Sequence, residues 1–333
     1  MKISIIGSGS WGTAIGIMLC ENGHDITLWS HTKAECESLQ QHKENRAFLS
    51  GFTIPMSINH TSDLQSCVEA DVIVCATPSF AVRSVMRQLS PYVKPSQIIL
   101  NISKGLENDS LSTLSCVIES EIPSCKAAVM SGPSHAEEVA RKIPTTNVVA
   151  SSDLQVAEAM QDMLMNPYFR VYTNPDITGV ELGGALKNVI ALCAGISDGL
   201  GFGDNTKAAL MTRGIYEITR LGAAMGAKPE TFGGLSGMGD LIVTCTSMHS
   251  RNRRAGILIG QGKSANQAQD EIKMVVEGIN TCYAAKHLAD KMNIEMPIIS
   301  QAYAVLFEGK SAKDATLELM GRDKRNESEF LMF

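Results

Sequence analysis

The chain has 333 residues, of which 44% are hydrophobic and 19% are charged, so it is long enough for two domains and too apolar to be disordered. Its net charge of −6 argues against broad electrostatic binding to nucleic acid or to an anionic membrane. The nine cysteines include no C-x-x-C pair and no zinc-type spacing, which predicts free thiols in a reducing, cytoplasmic compartment and no metal. The sequence contains no run of about 20 uncharged apolar residues, so it predicts no membrane insertion.

The first half alternates short apolar runs with helical patterns. We predict strands at residues 3–6, 26–29, 72–75, 98–101 and 127–130, and helices at residues 13–21, 33–41, 81–89 and 110–119. The runs are rich in β-branched residues and apolar on both faces, as in a parallel sheet covered by helices. The pattern therefore predicts an α/β fold with a Rossmann-type, doubly wound parallel sheet.

From about residue 153 onward the strand signals fade, and helices rich in Ala, Leu and Met are predicted at residues 177–196, 206–225, 265–274 and 282–292. We predict a dinucleotide-binding domain at residues 1–175, followed by an all-α substrate and catalytic domain at residues 176–333. The polar stretch at residues 321–328 is predicted to be frayed.

A glycine-rich loop follows the first predicted strand and opens the first helix. Its glycines, Gly7, Gly9 and Gly12, have the G-x-G-x-x-G spacing. The first glycine allows a tight turn, the second lets the backbone approach a pyrophosphate, and the third lets helix and strand pack closely. The helix N-terminus then offers N–H groups to the phosphates. Between a strand and a helix, this motif predicts dinucleotide binding.

The end of the second strand lacks the acid that selects NAD by binding the ribose 2′-OH. Ser30, His31, Thr32 and Lys33 stand there instead. We therefore predict that the site accepts NADP(H), which is also the candidate for the preferred cofactor. His31 is predicted to line the adenosine end of the site. The alternative is that Ser30 or the backbone binds the 2′-OH, so that both cofactors work.

Two segments carry amines that are candidates for the chemistry. Lys104 follows a strand end, where ligands of doubly wound sheets lie, although a lone lysine is more often solvated surface. Lys187 is predicted in mid-helix with Gly183 and Gly184 one turn before it and Ala191 one turn after it, so one helix flank is stripped of bulk. Close approach of a ligand would explain the glycines; tight helix packing with Lys187 turned outward is the alternative.

A further segment presents Asp240 after a Gly-Met-Gly run, and then Ser250, Arg251 and Asn252. A hydroxyl, a guanidinium and an amide together suit a phosphate monoester. A nucleic-acid patch is the alternative, but no aromatic residues interleave and the chain is acidic. One interpretation is that Arg253 and Arg254 are solvated and that only Arg251 and Asn252 face the pocket.

Five ordered motifs, at residues 7–12, 101–105, 131–136, 181–188 and 237–253, resemble the NAD(P)-dependent glycerol-3-phosphate dehydrogenases of the bacterial type. The resemblance covers nearly the whole chain. It implies reversible reduction of dihydroxyacetone phosphate to sn-glycerol 3-phosphate for glycerophospholipid synthesis, with NADP or NAD as cofactor.

The resemblance also implies residue roles. Lys187 would be the proton donor and acceptor, with Asp240 and Lys104 as further catalytic residues. The residues implied to contact the cofactor are Gly7, Gly9, Ser10, Trp11, Gly12, His31, Lys104, Ala136, Arg251, Val275 and Glu277. Those implied to surround the substrate are Lys104, Gly132, Ser134, Lys187, Asp240, Ser250, Arg251 and Asn252.

Two other functions stay open at this point. Dehydrogenases of the 3-hydroxyacid or 6-phosphogluconate kind also pair a Rossmann domain with helices and a catalytic lysine, but they typically carry Asn four residues after it, where this chain has Ala191. A ketopantoate-reductase-like enzyme would need a carboxylate site. A non-catalytic NAD(H) sensor would keep the glycine loop without needing Lys187. The sequence does not fix the oligomeric state, for which a homodimer is one expectation.

Overall fold

A computed structural model describes residues 1–327 of the chain. The backbone contacts divide it into two units. The sheet unit comprises Met1–Lys104 and Thr113–Val180, and the helical unit comprises Gly105–Ser112 and the chain from Glu181 onward. The domain division predicted at residues 175 and 176 stays a prediction.

The sheet unit is built on an eight-stranded sheet. Its strands are β1 (Lys2–Ile6), β2 (Asp25–Trp29), β5 (Asn59–Thr61), β6 (Val72–Cys75), β7 (Ile98–Asn101), β8 (Lys126–Ser131), β9 (Thr145–Ala150) and β10 (Phe169–Asn174), while β3 (Glu44–Asn45) and β4 (Leu49–Thr53) form a separate antiparallel pair. The order across the sheet is β10-β9-β8-β7-β6-β1-β2-β5, and every neighbouring pair is parallel except β8 and β9. This confirms the predicted doubly wound sheet, because the strand order reverses on either side of β1.

The helices of this unit are α1 (Ser10–Glu21), α2 (Lys33–His42), α3 (Val82–Leu89), α4 (Leu114–Glu121), α5 (Ala136–Ala140) and α6 (Leu154–Leu164). Two separate apolar clusters form its core; one contains Ile3, Ile15 and Leu100, and the other contains Ile6, Val85 and Ile99. Neighbouring strand residues such as Ile5 and Ile6 point to opposite faces, so both faces of the sheet are buried.

The prediction that strands end near residue 153 is wrong, since β10 completes the sheet. In β10 only Phe169 and Val171 are fully buried, and they alternate with the exposed Arg170 and Tyr172. This half-polar pattern lacks the continuous apolar run that identified the earlier strands. The short β5 and the strand β9 were also not predicted.

The helical unit holds α7 (Ile177–Gly199, which begins in the sheet unit), α8 (Asp204–Ala224), α9 (Pro229–Phe232), a π turn at Leu235–Gly239, α10 (Asp240–Thr246), α11 (Arg251–Gly260), α12 (Ala265–Ile272), α13 (Glu277–Lys291), α14 (Pro297–Phe307) and α15 (Ala312–Met320). The four helices predicted here correspond to α7, α8, α12 and α13. Among residues 1–327, α7 is the one helix long and apolar enough to cross a membrane by length and composition, and 94% of that window is buried within the chain.

Helices α7 and α11 cross with their backbones in contact. A Cβ on Gly195 would lie 2.0 Å from the Arg253 carbonyl oxygen, and one on Gly256 would lie 2.0 Å from that of Leu192. Gly199 and Gly260 meet in the same way one turn further along. No larger side chain fits without moving the helices apart, so the crossing requires glycine.

The polar stretch after α15 is not frayed throughout, contrary to prediction. Arg322 and Arg325 both pair with the Glu295 carboxylate, the latter at 2.7 Å. Position 328, the last of the predicted stretch, lies outside the described residues.

Candidate active site

The glycine turn after β1 has the geometry of a phosphate cradle. Gly7 has φ +122°, a conformation that strains any residue with a Cβ. A Cβ on Gly12 would lie 2.0 Å from the Gly7 carbonyl oxygen, so strand and helix pack in contact there. In contrast, a Cβ on Gly9 would meet nothing within 4 Å. The turn therefore leaves open space at the N-terminus of α1, as a bound pyrophosphate requires.

An asparagine that was not identified from the sequence holds this turn through hydrogen bonds. Asn45 is buried, and its Nδ2 donates to the Ser8 carbonyl at 2.7 Å and to Thr13 Oγ1 at 2.8 Å. It reaches the turn from β3, more than thirty residues along the chain. Because this contact is long-range, no local pattern could have predicted it.

The end of β2 presents His31 rather than Ser30. His31 is exposed and packs edge-on against Trp29, with 5.9 Å between the ring centroids. Ser30 is fully buried, and its hydroxyl has no hydrogen-bond partner among the described residues. The exposed side chains at this strand end are therefore those of His31, Thr32 and Lys33, of which Thr32 accepts from the Glu35 amide as the N-cap of α2.

Lys104, Gly132 and Ser134 come together beyond the carboxyl ends of the strands. The Lys104 ammonium donates to the Gly132 carbonyl at 2.9 Å and lies 3.4 Å from Ser134 Oγ, which itself donates to the same carbonyl. Gly132 has φ +141° and packs against Asn147. Ala136, the first residue of α5, follows directly. Lys104 is thus held by this loop and is not a freely solvated surface lysine.

In the helical unit, Lys187 points inward to a buried acid. Its Nζ lies 3.0 Å from Asp240 Oδ1, and the two residues are 6% and 1% exposed. The alternative in which Lys187 is turned outward is therefore wrong. Gly183, one turn before Lys187, is explained by packing. A Cβ at this position would lie 2.9 Å from the Ser236 carbonyl oxygen, because α7 packs against the π turn that leads into Asp240.

Thr244 completes this cluster and was missed from the sequence. Lys187 Nζ donates to Thr244 Oγ1 at 2.7 Å, and this hydroxyl donates to the Asp240 carbonyl at 2.6 Å. The signal for it was the spacing of four residues, which places Asp240 and Thr244 on one face of α10. Asp240 and Thr244 are thus both fixed acceptors for the Lys187 ammonium.

The predicted phosphate ligands lie at the N-terminus of α11. Ser250 is its N-cap, and its hydroxyl oxygen accepts from the Arg253 amide at 3.1 Å. Arg251 and Asn252 are the first two helical residues, and no acid lies in the first turn. A helix N-terminus flanked by a hydroxyl, a guanidinium and an amide is a suitable anion site.

Asn252 also connects three parts of the helical unit. Its Nδ2 donates to Asn188 Oδ1 at 2.9 Å, and its Oδ1 accepts from the Gly278 amide at 2.8 Å. Asn188 is the neighbour of Lys187, and Gly278 follows Glu277 at the start of α13. Arg251 donates to the Val275 carbonyl at 3.0 Å. The segment with Val275 and Glu277 is therefore held next to the start of α11.

Arg253 is not a solvated side chain, contrary to the interpretation from sequence. Its guanidinium donates to Asp198 Oδ2 at 2.8 Å and to the Thr246 carbonyl at 2.5 Å. Arg254 is exposed. Across residues 1–327, no group of three or more His, Cys, Asp or Glu side chains is arranged to hold a metal ion.

A doubly wound sheet with this glycine turn, joined to an all-helical unit that buries a lysine, defines the class of two-domain dehydrogenases that use a nicotinamide cofactor. Within this class, the chain belongs to the NAD-dependent glycerol-3-phosphate dehydrogenase family. The N-terminal family model matches residues 2–157, and the C-terminal model matches residues 176–317.

Individual relatives agree over almost the full length. The glycerol-3-phosphate dehydrogenase [NAD(P)+] of Fusobacterium nucleatum is 54% identical, over 98% of both chains. The enzyme of the same name from Desulfitobacterium hafniense is 53% identical, over 98% of this chain and 93% of the relative. The crystal structure of glycerol-3-phosphate dehydrogenase from Coxiella burnetii superposes with a TM-score of 0.94 at 38% identity, covering 96% of this chain and 99% of that one.

Proposed function

We propose that this chain catalyses the reversible NAD(P)H-dependent reduction of dihydroxyacetone phosphate to sn-glycerol 3-phosphate, which supplies glycerophospholipid synthesis. The observation that carries the proposal is the Lys187 ammonium, buried against Asp240 and Thr244 in a chain of this family. A buried amine with fixed partners is suited to exchange one proton with a reacting oxygen.

In this mechanism the nicotinamide, when bound, supplies the hydride that forms the new C–H bond at the ketone carbon. Lys187 gives its proton to the carbonyl oxygen, which becomes the product hydroxyl, and takes a proton back in the reverse direction. Asp240 and Thr244 accept from the ammonium and hold it in one orientation. The Asp240 carboxylate also balances the charge of the buried ammonium.

The phosphate of the substrate is assigned to the N-terminus of α11. The Arg251 guanidinium would bind it through charge-assisted hydrogen bonds. The Ser250 hydroxyl proton and the second Nδ2 proton of Asn252 are the additional donors. Lys104, Gly132 and Ser134 are assigned to the hydroxyl end of the substrate and, for Lys104, to the cofactor.

The cofactor is assigned to the glycine turn, with Ser10 and Trp11 at the start of α1, Ala136 at the start of α5, and Arg251, Val275 and Glu277 from the helical unit. The open space beside Gly9 supports this assignment. With no acid at the end of β2, and with His31 and Lys33 exposed there, we expect NADPH to be used at least as well as NADH. The ratio of kcat/KM for the two cofactors tests this, and a large preference for NADH would contradict it.

The proposal includes a division of labour and a location. Residues 1–175 would bind the dinucleotide, and residues 176–333 would supply the catalytic amine and the phosphate site. The nine cysteines, all free thiols, are consistent with the cytoplasm. A homodimer is the expected oligomer, to be tested by light scattering at several protein concentrations.

The deciding experiment follows the absorbance of NADPH or NADH after addition of the purified protein and one carbonyl substrate. Oxidation is expected with dihydroxyacetone phosphate, and no oxidation with 2-ketopantoate. In the reverse direction, NADP+ or NAD+ should be reduced with sn-glycerol 3-phosphate and not with 6-phosphogluconate or a 3-hydroxyacid. Cofactor binding without turnover on any substrate would favour a sensor instead.

A further inference from the structure

The helical unit contains a cavity of about 340 Å³ that is separate from the Lys187 cluster and from the start of α11. Its walls come from α7, α8, α14, α15 and the stretch after α15. They are mainly apolar, with contributions from Ile196, Phe202, Leu210, Ile298, Val305 and Leu319. The volume lies at the lower end of the range of small-molecule sites, roughly 300–1,000 Å³.

Ser197 brings a polar group to this apolar wall. The residue is 6% exposed, and its hydroxyl has no hydrogen-bond partner among the described residues. Burying a hydroxyl without a partner is unfavourable. Glu217 lies in the same wall, where burial raises the pKa of its carboxyl to about 7. The Glu217 oxygens accept from the Ile298 and Ile299 amides, so among the described residues Ser197 is the buried polar group of this wall that lacks a partner, as expected where a ligand supplies one.

Four arginines, Arg213, Arg220, Arg322 and Arg325, are also among the residues that line the cavity. Arg220 donates to the Glu295 main-chain carbonyl at 2.6 Å, and the last two share the Glu295 carboxylate. Arg213 is exposed and stacks over the ring of Tyr216 at 5.0 Å. Even with Asp323, Glu217 and Glu295 all ionised, positive charges outnumber negative ones around the cavity.

We propose that this cavity binds a single-chain amphiphile with an anionic head group, with the hydrocarbon chain against the apolar walls and the head group at the guanidinium groups. Charge complementarity selects an anionic over a cationic head group. The volume suits one hydrocarbon chain in a monomeric, dissolved amphiphile, and not a two-chain lipid or a bilayer surface.

The test is calorimetric titration of the full chain with dodecyl phosphate below its micelle concentration. We expect one molecule bound per chain, with dodecyltrimethylammonium and inorganic phosphate each at least tenfold weaker. Equal binding of the cationic amphiphile would overturn the assignment of the head group. Equal binding of inorganic phosphate would show an anion site without a chain pocket, which also overturns the proposal.

Two variants locate the site. Arg213→Gln should weaken dodecyl phosphate binding at least tenfold. The matched control is Arg170→Gln, because Arg170 stacks over Tyr172 at 5.1 Å in the same way but lies in the sheet unit. Ala209→Trp, at an exposed position in the lining, should block binding while the circular dichroism and melting temperature stay unchanged. If dodecyl phosphate binds both variants as tightly as the original chain, the cavity is not its site.

If the cavity is filled by something other than a dissolved amphiphile, the titration gives a different result. The sequence continues after Glu327 with Ser-Glu-Phe-Leu-Met-Phe, which contains four consecutive apolar residues. If a chain ending at Glu327 binds dodecyl phosphate and the full chain does not, the cavity belongs to the chain's own last residues. If binding appears only when dilution dissociates an oligomer, a second copy covers the cavity. Either result overturns the proposal.

Discussion

Thr244 lies one helical turn after Asp240 on α10, and its hydroxyl is 3.2 Å from the Asp240 carboxylate while it accepts a hydrogen bond from Lys187. The acid and the hydroxyl therefore hold the same ammonium from two directions. We therefore expect activity to depend on the orientation of the Lys187 ammonium as well as on its charge, and variants of Thr244 and Lys187 test the two separately.

Lys187→Met should abolish turnover, because it removes the proton donor while keeping an unbranched side chain of similar length. We expect kcat to fall by roughly 10²–10⁴-fold, the usual contribution of a general acid. NADPH binding, measured by fluorescence, should persist. The control is Lys286→Met, which removes a half-buried lysine paired with Asp290. A near-normal kcat for Lys187→Met would show that another group moves the proton.

Thr244→Val should lower kcat about tenfold and shift the pH profile of kcat, because the ammonium loses the hydroxyl that accepts its hydrogen bond at 2.7 Å. Thr244→Ser should restore most of the activity. Thr246→Val is the matched control, since Thr246 donates to the carbonyl four residues before it as Thr244 does, but is exposed. If the pH profile of Thr244→Val stays unchanged, Thr244 has only a structural role.

Arg251→Ala should raise the KM for dihydroxyacetone phosphate at least tenfold, because a charge-assisted contact to the phosphate is lost. Arg251→Lys should recover part of this loss, since lysine keeps the charge and loses the planar fork. Arg254→Ala, at an exposed position on the same helix, is the control. An unchanged KM for Arg251→Ala would place the phosphate elsewhere.

Gly9→Ala and Gly12→Ala should separate cofactor binding from folding. At Gly9 a Cβ meets no protein atom within 4 Å, so the variant should melt at the original temperature but bind NADPH at least tenfold more weakly. At Gly12 a Cβ would lie 2.0 Å from the Gly7 carbonyl oxygen, so the melting temperature itself should fall. Unchanged NADPH affinity in Gly9→Ala would exclude the open space as the phosphate site.

Glu217 should make stability depend on pH. Burial raises the pKa of its carboxyl to about 7 despite hydrogen bonds from the Ile298 and Ile299 amides. The folded state therefore holds the proton more tightly than the unfolded state, and stability falls as pH rises from about 4.5 to 7. The full effect is on the order of 3 kcal/mol.

Denaturant unfolding between pH 5 and pH 8 measures this effect. Glu217→Gln should remove that part of the pH dependence, while Glu230→Gln, an exposed change in the same unit, should not. Parallel pH curves for the original chain and Glu217→Gln would contradict the prediction.

The sequence predicted those parts of the fold that are determined locally. The runs at β6 and β7 were predicted to the residue, because each begins with three consecutive β-branched or leucine residues, as strands buried on both faces of a sheet do. The glycine turn was predicted because each of its three glycines is required where a side chain would not fit: in the tight turn, beside the pyrophosphate and between helix and strand. The family resemblance implied that Lys187 and Asp240 belong to one site, although they lie 53 positions apart in the chain, and their direct pairing is seen only in the structure.

What could not be predicted depends on contacts between distant segments. Asn45 under the glycine turn, and Asn252 between Asn188 and Gly278, follow no periodic pattern. The ion pair of Arg253 was missed because its partner, Asp198, lies on another helix. In each case a polar residue common on surfaces finds a partner that only the tertiary fold supplies.

The backbone contact between α7 and α11 has a consequence for substrate choice. Lys187 is on α7 and Arg251 begins α11, so the contact between the two helix backbones fixes the distance between the proposed proton donor and the proposed phosphate ligand. Side-chain repacking cannot stretch a spacing that carbonyl oxygens define. Directed evolution toward longer phosphorylated ketones should therefore gain little from mutations at Gly195, Gly199, Gly256 or Gly260, and more from the segments that flank the two helices.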